Sequence, residues 1–135
     1  MTTTTMPMLE TYPKSINLDR VKLAATIDAL RSCTQACTAC ADACLSEDVV
    51  AELTKCIRTN LDCADICDTT ARVLSRHTEY DANLSRSLLE ACVTACRSCG
   101  DECAAHAGRH EHCRICADSC RACEQACREL LAAMG

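Results

Sequence analysis

The chain has 135 residues and a net charge of −5. That length fits one domain with a modest core. An acidic balance without a basic run argues against nucleic acid as a partner, and no apolar stretch has the length needed to span a membrane. Aromatic residues are nearly absent, with only Tyr12 and Tyr80. Helix formers dominate, and both prolines, Pro7 and Pro13, sit near the N-terminus. The composition predicts an all-α protein with closely packed helices.

Residues 1–14, Thr-rich with two prolines, read as a flexible tail ahead of a bundle over 15–135. Asn17 is a candidate N-cap for a first helix over about 17–45, with Asp19 in its first turn. Ser46 can cap a second helix over about 47–77, with Glu47 and Asp48 complementing its dipole. Asp81 or Asn83 can start a third over about 82–107, with Gly108 at its C′ position. A fourth follows over about 109–134. The last two could also be one long rod broken only by Gly108; two helices are preferred, because a lone rod leaves its inner face unpaired. Four helices with short links predict an antiparallel up-down four-helix bundle.

Sixteen cysteines are the outstanding feature. Their spacing is helical: CTQACTACADAC steps by four, three and four residues from Cys33 to Cys44. The first helix carries Leu23, Thr26, Leu30, Cys33, Cys37, Cys40 and Cys44 on one seam. The second carries Val49, Leu53, Cys56, Asn60, Cys63, Cys67, Thr70 and Leu74, and the third Leu88, Cys92, Cys96, Cys99, Cys103 and His106. The fourth carries Cys113, Cys116, Cys120, Cys123, Cys127, Leu130 and Met134. Such steps mark the inward face of a bundle helix, so the core is expected to be lined with cysteine.

A free cysteine packs as a small hydrophobe, but sixteen at a repeating spacing are poor filler, because Ala, Val or Leu would serve without oxidation risk. The N-terminal stretch MTTTTMPMLETYPKS has no apolar or basic signal region, so a reducing cytoplasm is expected, where thiols stay free. Neighbours at i+3 and i+4 lie about 5–6 Å apart at Cβ, and a linear S–metal–S unit spans roughly 4.5 Å. Soft thiolates select Cu(I), Zn(II) or iron–sulfur clusters. Zinc in four thiolates leaves a charge of −2, which is costly to bury. One Cu(I) per thiolate is neutral. Iron–sulfur motifs favour loops of the C-x₂-C-x₂-C-x₃-C-P type, and no Cys-Pro pair occurs here. Charge and softness therefore favour multiple Cu(I) ions.

The runs CTQACTACADAC, CVTACRSCGDEC and CRICADSCRACEQAC on four short-linked helices resemble the bacterial copper storage proteins, and more specifically their cytosolic branch. The resemblance spans about Asn17 to the C-terminus. It implies a non-enzymatic four-helix bundle storing many Cu(I) ions per protomer for storage and detoxification, assembled as a homotetramer. Copper chaperones or chelators would be the implied donors and acceptors. Asn60 departs from the pattern by occupying a seam slot, which puts an unbroken sulfur ladder in question at that level.

With the helices laid antiparallel, one end collects Cys44, Cys103, Cys113, His106, His110 and His112, and the other collects Leu23, Ile27, Leu30, Leu74, Leu84, Leu88, Leu89, Leu130 and Met134. Metal is expected at the first end. His106 and His110 continue the cysteine phase and are candidate ligands beside the sixteen cysteines. His112 is out of phase and expected in solvent, and the helix dipole alone accounts for His77. Asn60 is expected to be satisfied by a neighbour rather than to ligate, and Met6 and Met8 to lie in the tail. The alternatives are a zinc or cadmium thiolate buffer, a thiol–disulfide exchange enzyme, for which only Cys113 sits near a helix start, and a disulfide-stapled structural module.

Overall fold

The computed structural model describes residues 4–135. It is all-helical, with no strand among the described residues. The elements are α1 (Thr5–Glu10), α2 (Arg20–Leu45), a 3-10 turn (Val50–Glu52), α3 (Thr54–Leu74), α4 (Ala82–His106) and α5 (Glu111–Ala133). The four long helices form a ring in which α2 packs on α3 and α5, and α4 packs on α3 and α5.

The register is antiparallel and regular. Between α2 and α5, Thr26 Oγ1 reaches Ala126 O at 3.3 Å, Cys33 meets Cys120 at 3.9 Å, Cys37 meets Cys116 at 3.7 Å and Cys40 meets Cys113 at 3.9 Å. Between α3 and α4, Cys56 meets Cys103 at 3.7 Å and Cys63 meets Cys96 at 3.8 Å. Equal spacing along antiparallel partners keeps every seam facing inward, which is why one cysteine rhythm repeats in four helices.

Caps fix the helix starts. Asp19, not Asn17, caps α2, accepting from Lys22 N at 2.9 Å. Asp81 caps α4 through Asn83 N and Leu84 N. The second helix begins later than the expected position 47: Ser46 is the C-cap of α2, and α3 starts at Thr54 without a side-chain cap. Glu47 and Asp48 are thereby freed into the link. The two C-terminal helices are separate, parted by residues 107–110.

The flexible tail expected over residues 1–14 is corrected where it is described; residues 1–3 lie outside the described residues. Thr5–Glu10 is helical, Leu9 is buried in the core, and Thr5 Oγ1 donates to Asp28 at 2.6 Å. Tyr12 bonds Thr78 and meets the His77 ring edge-on at 5.2 Å between centroids. His77 lies beyond the end of α3 and is held by this aromatic contact rather than by a dipole within the helix. α1 is thus a strap over the leucine end. Pro7 is tolerated because it stands in the first turn, where its missing N–H has no helical partner.

The apolar plug consists of Leu23, Ile27, Leu30, Leu74, Leu89 and Leu130, all at most 3% exposed. Three residues assigned to it differ: Leu88 and Met134 are only half-buried, and Leu84 is exposed. The α4 seam runs through Leu89, three residues before Cys92, so its last step is three where four was read.

Because plug and thiols together form one apolar cluster, the reduced metal-free protein should already be folded. Far-UV circular dichroism should show full helicity before any metal is added; helicity that arises only with metal would indicate metal-driven folding. Leu30→Ala and Leu89→Ala should each cost about 2–5 kcal/mol in denaturant unfolding, and Leu88→Ala clearly less.

Candidate metal centre

All sixteen cysteines are buried and free. At the plug end, Cys92 Sγ donates to Thr70 Oγ1 at 3.0 Å. Toward the other end, Cys67 lies 3.8 Å from Cys63 and 3.7 Å from Cys96. Cys33 lies 3.7 Å from Cys37 and 3.9 Å from Cys63. Cys37 lies 3.7 Å from Cys120 and 3.9 Å from Cys99. Several groups have all ligand atoms within 4.8 Å of one another, among them Cys33–Cys63–Cys67–Cys96, Cys33–Cys37–Cys63–Cys120, Cys37–Cys99–Cys116–Cys120 and Cys40–Cys103–Cys116. Successive groups share members, so the thiols form a continuous lattice.

This spacing suits metal. Three thiolates around one ion at about 2.3 Å stand about 4 Å apart, and four stand about 3.8 Å apart. The observed separations therefore need little movement for three-coordinate binding, and a modest widening for a linear bridge.

Asn60 does not interrupt the lattice. It is fully buried, and its Oδ1 accepts from Cys99 at 3.0 Å, Cys116 at 3.1 Å and Cys103 at 3.4 Å, while Nδ2 faces Cys56 at 3.7 Å. One amide thereby satisfies its own polar atoms and orients four thiols. Its buried position is the one expected of a satisfied core polar group.

Among the described residues the lattice has no buried compensating charge: the buried polar side chains are Thr5, Thr26, Asn60, Thr70 and Ser85. Burial pushes the Cys44 thiol up to about 11, with Cys40 adding charge repulsion, and burial raises Cys113 as well. Deeper in, hydrogen bonds between sulfurs divide the thiols. Cys37 and Cys67 are raised, chiefly through Cys116 and Cys123, whereas Cys33 and Cys63 are lowered, chiefly through Cys120. Hydrogen bonding between sulfurs thus favours the thiolate at some positions and holds the proton at others.

The histidine end is organised differently from the expectation. His112, read as a solvent residue, is the imidazole that reaches sulfur: its Nδ1 lies 3.3 Å from Cys40 Sγ and 3.6 Å from Cys113 Sγ. It completes a group with Cys40, Cys44 and Cys113. Its Nε2 pairs with Glu47 at 2.8 Å. Burial alone would lower the His112 pKa, but the bonds to Cys40 and Glu47 outweigh it and raise it. The Glu47 carboxyl is held below the usual range, first by the His112 bond. Glu47 also takes His110 Nδ1 at 3.1 Å, and the two imidazoles stack at 5.6 Å. His106 is paired with Glu102 at 3.0 Å, which in turn meets Lys55 at 3.7 Å. His106 and His110 thus sit at the mouth with carboxylate partners, and the structure brings His112, not these two, against the thiols.

Spacing could not find His112, because at the start of α5 its side chain reaches back over the bundle end instead of along the seam. Nor could it find Glu47, which acts from a link. The available signal was the dense polar string HEHC, residues 110–113, beside the chain reversal.

The profile of the copper storage protein family matches residues 19–132. The copper storage protein Ccsp of Streptomyces lividans, solved loaded with 10 copper equivalents, superposes with a TM-score of 0.95 at 62% identity, covering 96% of this chain and 99% of that one. A second Streptomyces lividans structure, of a cytosolic copper storage protein with five coppers, gives a TM-score of 0.84 at 66% identity over 85% of this chain and 96% of that one. The Cu(I)-bound copper storage protein BsCsp3 of Bacillus subtilis gives 0.71 at 34% identity, over 82% and 98%. With a thiol lattice of this geometry inside a matched span that runs from the α2 cap almost to the C-terminus, the chain belongs to the copper storage protein family.

Proposed function

We propose that this protein stores and detoxifies Cu(I), taking many cuprous ions as cargo into the thiol lattice of its core. The observation that carries this reading is the contiguous array of buried thiols without a buried cation. Only a monovalent soft ion can fill such an array at one ion per thiolate and leave it neutral. All sixteen cysteines are assigned as ligands, with His106, His110 and His112 serving the end where copper enters. The copper carried by the solved relatives supports the same cargo. A cytosolic setting is supported by the description of one relative, and a homotetramer and exchange with copper chaperones complete the reading. The role is storage rather than catalysis.

Anaerobic titration with Cu(I), followed by the ultraviolet thiolate–copper absorption, should plateau near or modestly above one ion per cysteine, about sixteen per chain. A plateau at four or five would favour separate four-thiolate sites and defeat the neutral-lattice reading.

At the mouth, His112→Ala should slow loading more than His106→Ala or His110→Ala, because only His112 touches sulfur. Stopped-flow loading rates measure this; equal rates for the three variants would remove His112 from the path.

Protons follow from the raised thiols. Loading should release about one proton per thiol converted to thiolate, so affinity should weaken as pH falls. The empty protein has the opposite dependence. Unfolded cysteines titrate near about 8.5, while Cys44 is held up at about 11. Between these values the folded state keeps a proton the unfolded chain has lost, so apo stability should fall as pH rises through that window. Thermal unfolding of reduced apo-protein across about pH 8 to 11 checks the sign.

A further inference from the structure

We propose that the mouth of the bundle is a separate site for a tetrahedral divalent cation, of which zinc is the type, held by Cys40, Cys44, Cys113 and His112, and that arriving Cu(I) displaces it. The inference rests on reading the core as a Cu(I) store filled through this end.

The ligand set is the first ground. Three thiolates and one imidazole form a familiar four-coordinate zinc set, and the four ligand atoms lie within 4.8 Å of one another. Zinc at about 2.3 Å from sulfur and 2.0–2.1 Å from nitrogen implies sulfur–sulfur edges of about 3.8 Å and sulfur–nitrogen edges of about 3.5 Å. One face of this tetrahedron is already in place: Cys40–Cys113 is 3.9 Å, Cys113–His112 is 3.6 Å and Cys40–His112 is 3.3 Å.

The second ground is charge. Four-thiolate groups in the core have similar spacing, so geometry does not separate them from the mouth. A zinc ion there would leave −2 in a region with no buried cation, which is costly. At the mouth the neutral imidazole replaces one thiolate, leaving −1. His112 and Cys113 lie in the first turn of α5, whose dipole favours the charge, while Cys40 and Cys44 lie toward the C-terminal end of α2, whose dipole opposes it; the half-buried His112 brings the site into reach of water. Zinc is therefore tolerated at the mouth and excluded from the core, whereas Cu(I) is accepted by both.

The third ground is the support around the imidazole. Glu47 bonds His112 Nε2 at 2.8 Å, which leaves Nδ1, the atom facing sulfur, as the ligand. A carboxylate behind a metal-binding histidine fixes its orientation and strengthens it as a donor. Glu47 comes from the link after α2, outside the thiol rhythm, and acts here as a positioning residue.

The consequence lies in connectivity. Cys40 belongs both to this group and to the next group inward, Cys40–Cys103–Cys116. A zinc ion on Cys40 occupies the first step of the path to the core. Binding it releases three thiol protons to solvent. Two-coordinate Cu(I) then takes the thiolates, and zinc leaves as the free dication.

The test is anaerobic titration of the reduced, full-length apo-protein with zinc sulfate, and with cobalt(II) as a visible reporter. One ion per chain is expected, with the intense cobalt bands of a tetrahedral thiolate site. His112→Ala should remove the tight site, and Glu47→Gln should weaken it by about 10–100-fold with helicity retained. Adding Cu(I) to the zinc-loaded protein should release about one zinc per chain to a chromophoric chelator during early filling. Several zinc ions per chain, pale octahedral cobalt spectra, or unaltered affinity in folded His112→Ala would each overturn the proposal. Should His112→Ala fail to fold, the wild-type cobalt spectrum and Glu47→Gln decide. Failure of the zinc site with full Cu(I) capacity would leave the storage reading standing. A low Cu(I) plateau with zinc bound as described would defeat storage and not this site.

Discussion

A core made of ionisable groups, with no buried countercharge among the described residues, is costly to charge, and the rest of the structure follows from that constraint. Burial keeps the proton on thiols such as Cys44 and Cys113, and deeper in hydrogen bonds between sulfurs hold protons on Cys37 and Cys67 while favouring charge on Cys33 and Cys63. The filled core meets the constraint if each proton is exchanged for a monovalent ion. Leucine would satisfy only the first state, and carboxylates or imidazoles only a hydrated interior. Thiol is the side chain that packs as a hydrophobe and binds as a soft anion, so one seam serves as core and store.

Neutrality alone does not order the sulfurs; register does. Constant pairing down α2 against α5 and down α3 against α4 places Cys33, Cys37, Cys40, Cys56 and Cys63 each opposite a partner thiol at 3.7–3.9 Å. Asn60 shows how little the array tolerates an arbitrary replacement. Its amide fits because it finds four thiols to bond, whereas an unpaired amide at that depth would cost about 1–3 kcal/mol.

Much of this was legible from spacing, because the 3.6-residue period acts directly on buried seams. The four helices, the inward cysteines and the leucine end follow from steps of three and four. What spacing missed lies where the period does not act. The strap of α1 depends on Leu9 and Tyr12 meeting a surface built by distant residues. The late start of α3 turns on a link whose capping signals at Ser46 and Glu47 were turned to other uses. Ser46 closes α2, and Glu47 reaches across to His110 and His112. Leu89 displaced Leu88 through a one-residue phase choice that four-step counting cannot settle. His112 falls out of phase with the seam, yet a residue in the first turn of a helix is free to lean over the bundle end.

The two ends divide the work. At one end, fully packed leucines and the α1 strap supply stability without chemistry, and nothing there must open. At the other, α2, α4 and α5 end or begin within reach of one another, and backbone links replace packed side chains. Carboxylates there sit behind imidazoles: Glu47 on His110 and His112, Glu102 on His106. Such pairs hold donors in place without closing the opening with apolar side chains. A symmetrical bundle plugged at both ends would be as stable yet inaccessible, and one open at both ends would have to draw its stability from the thiols themselves. Placing the leucines at one end only lets the lattice be rigid before metal arrives and still be reached from water.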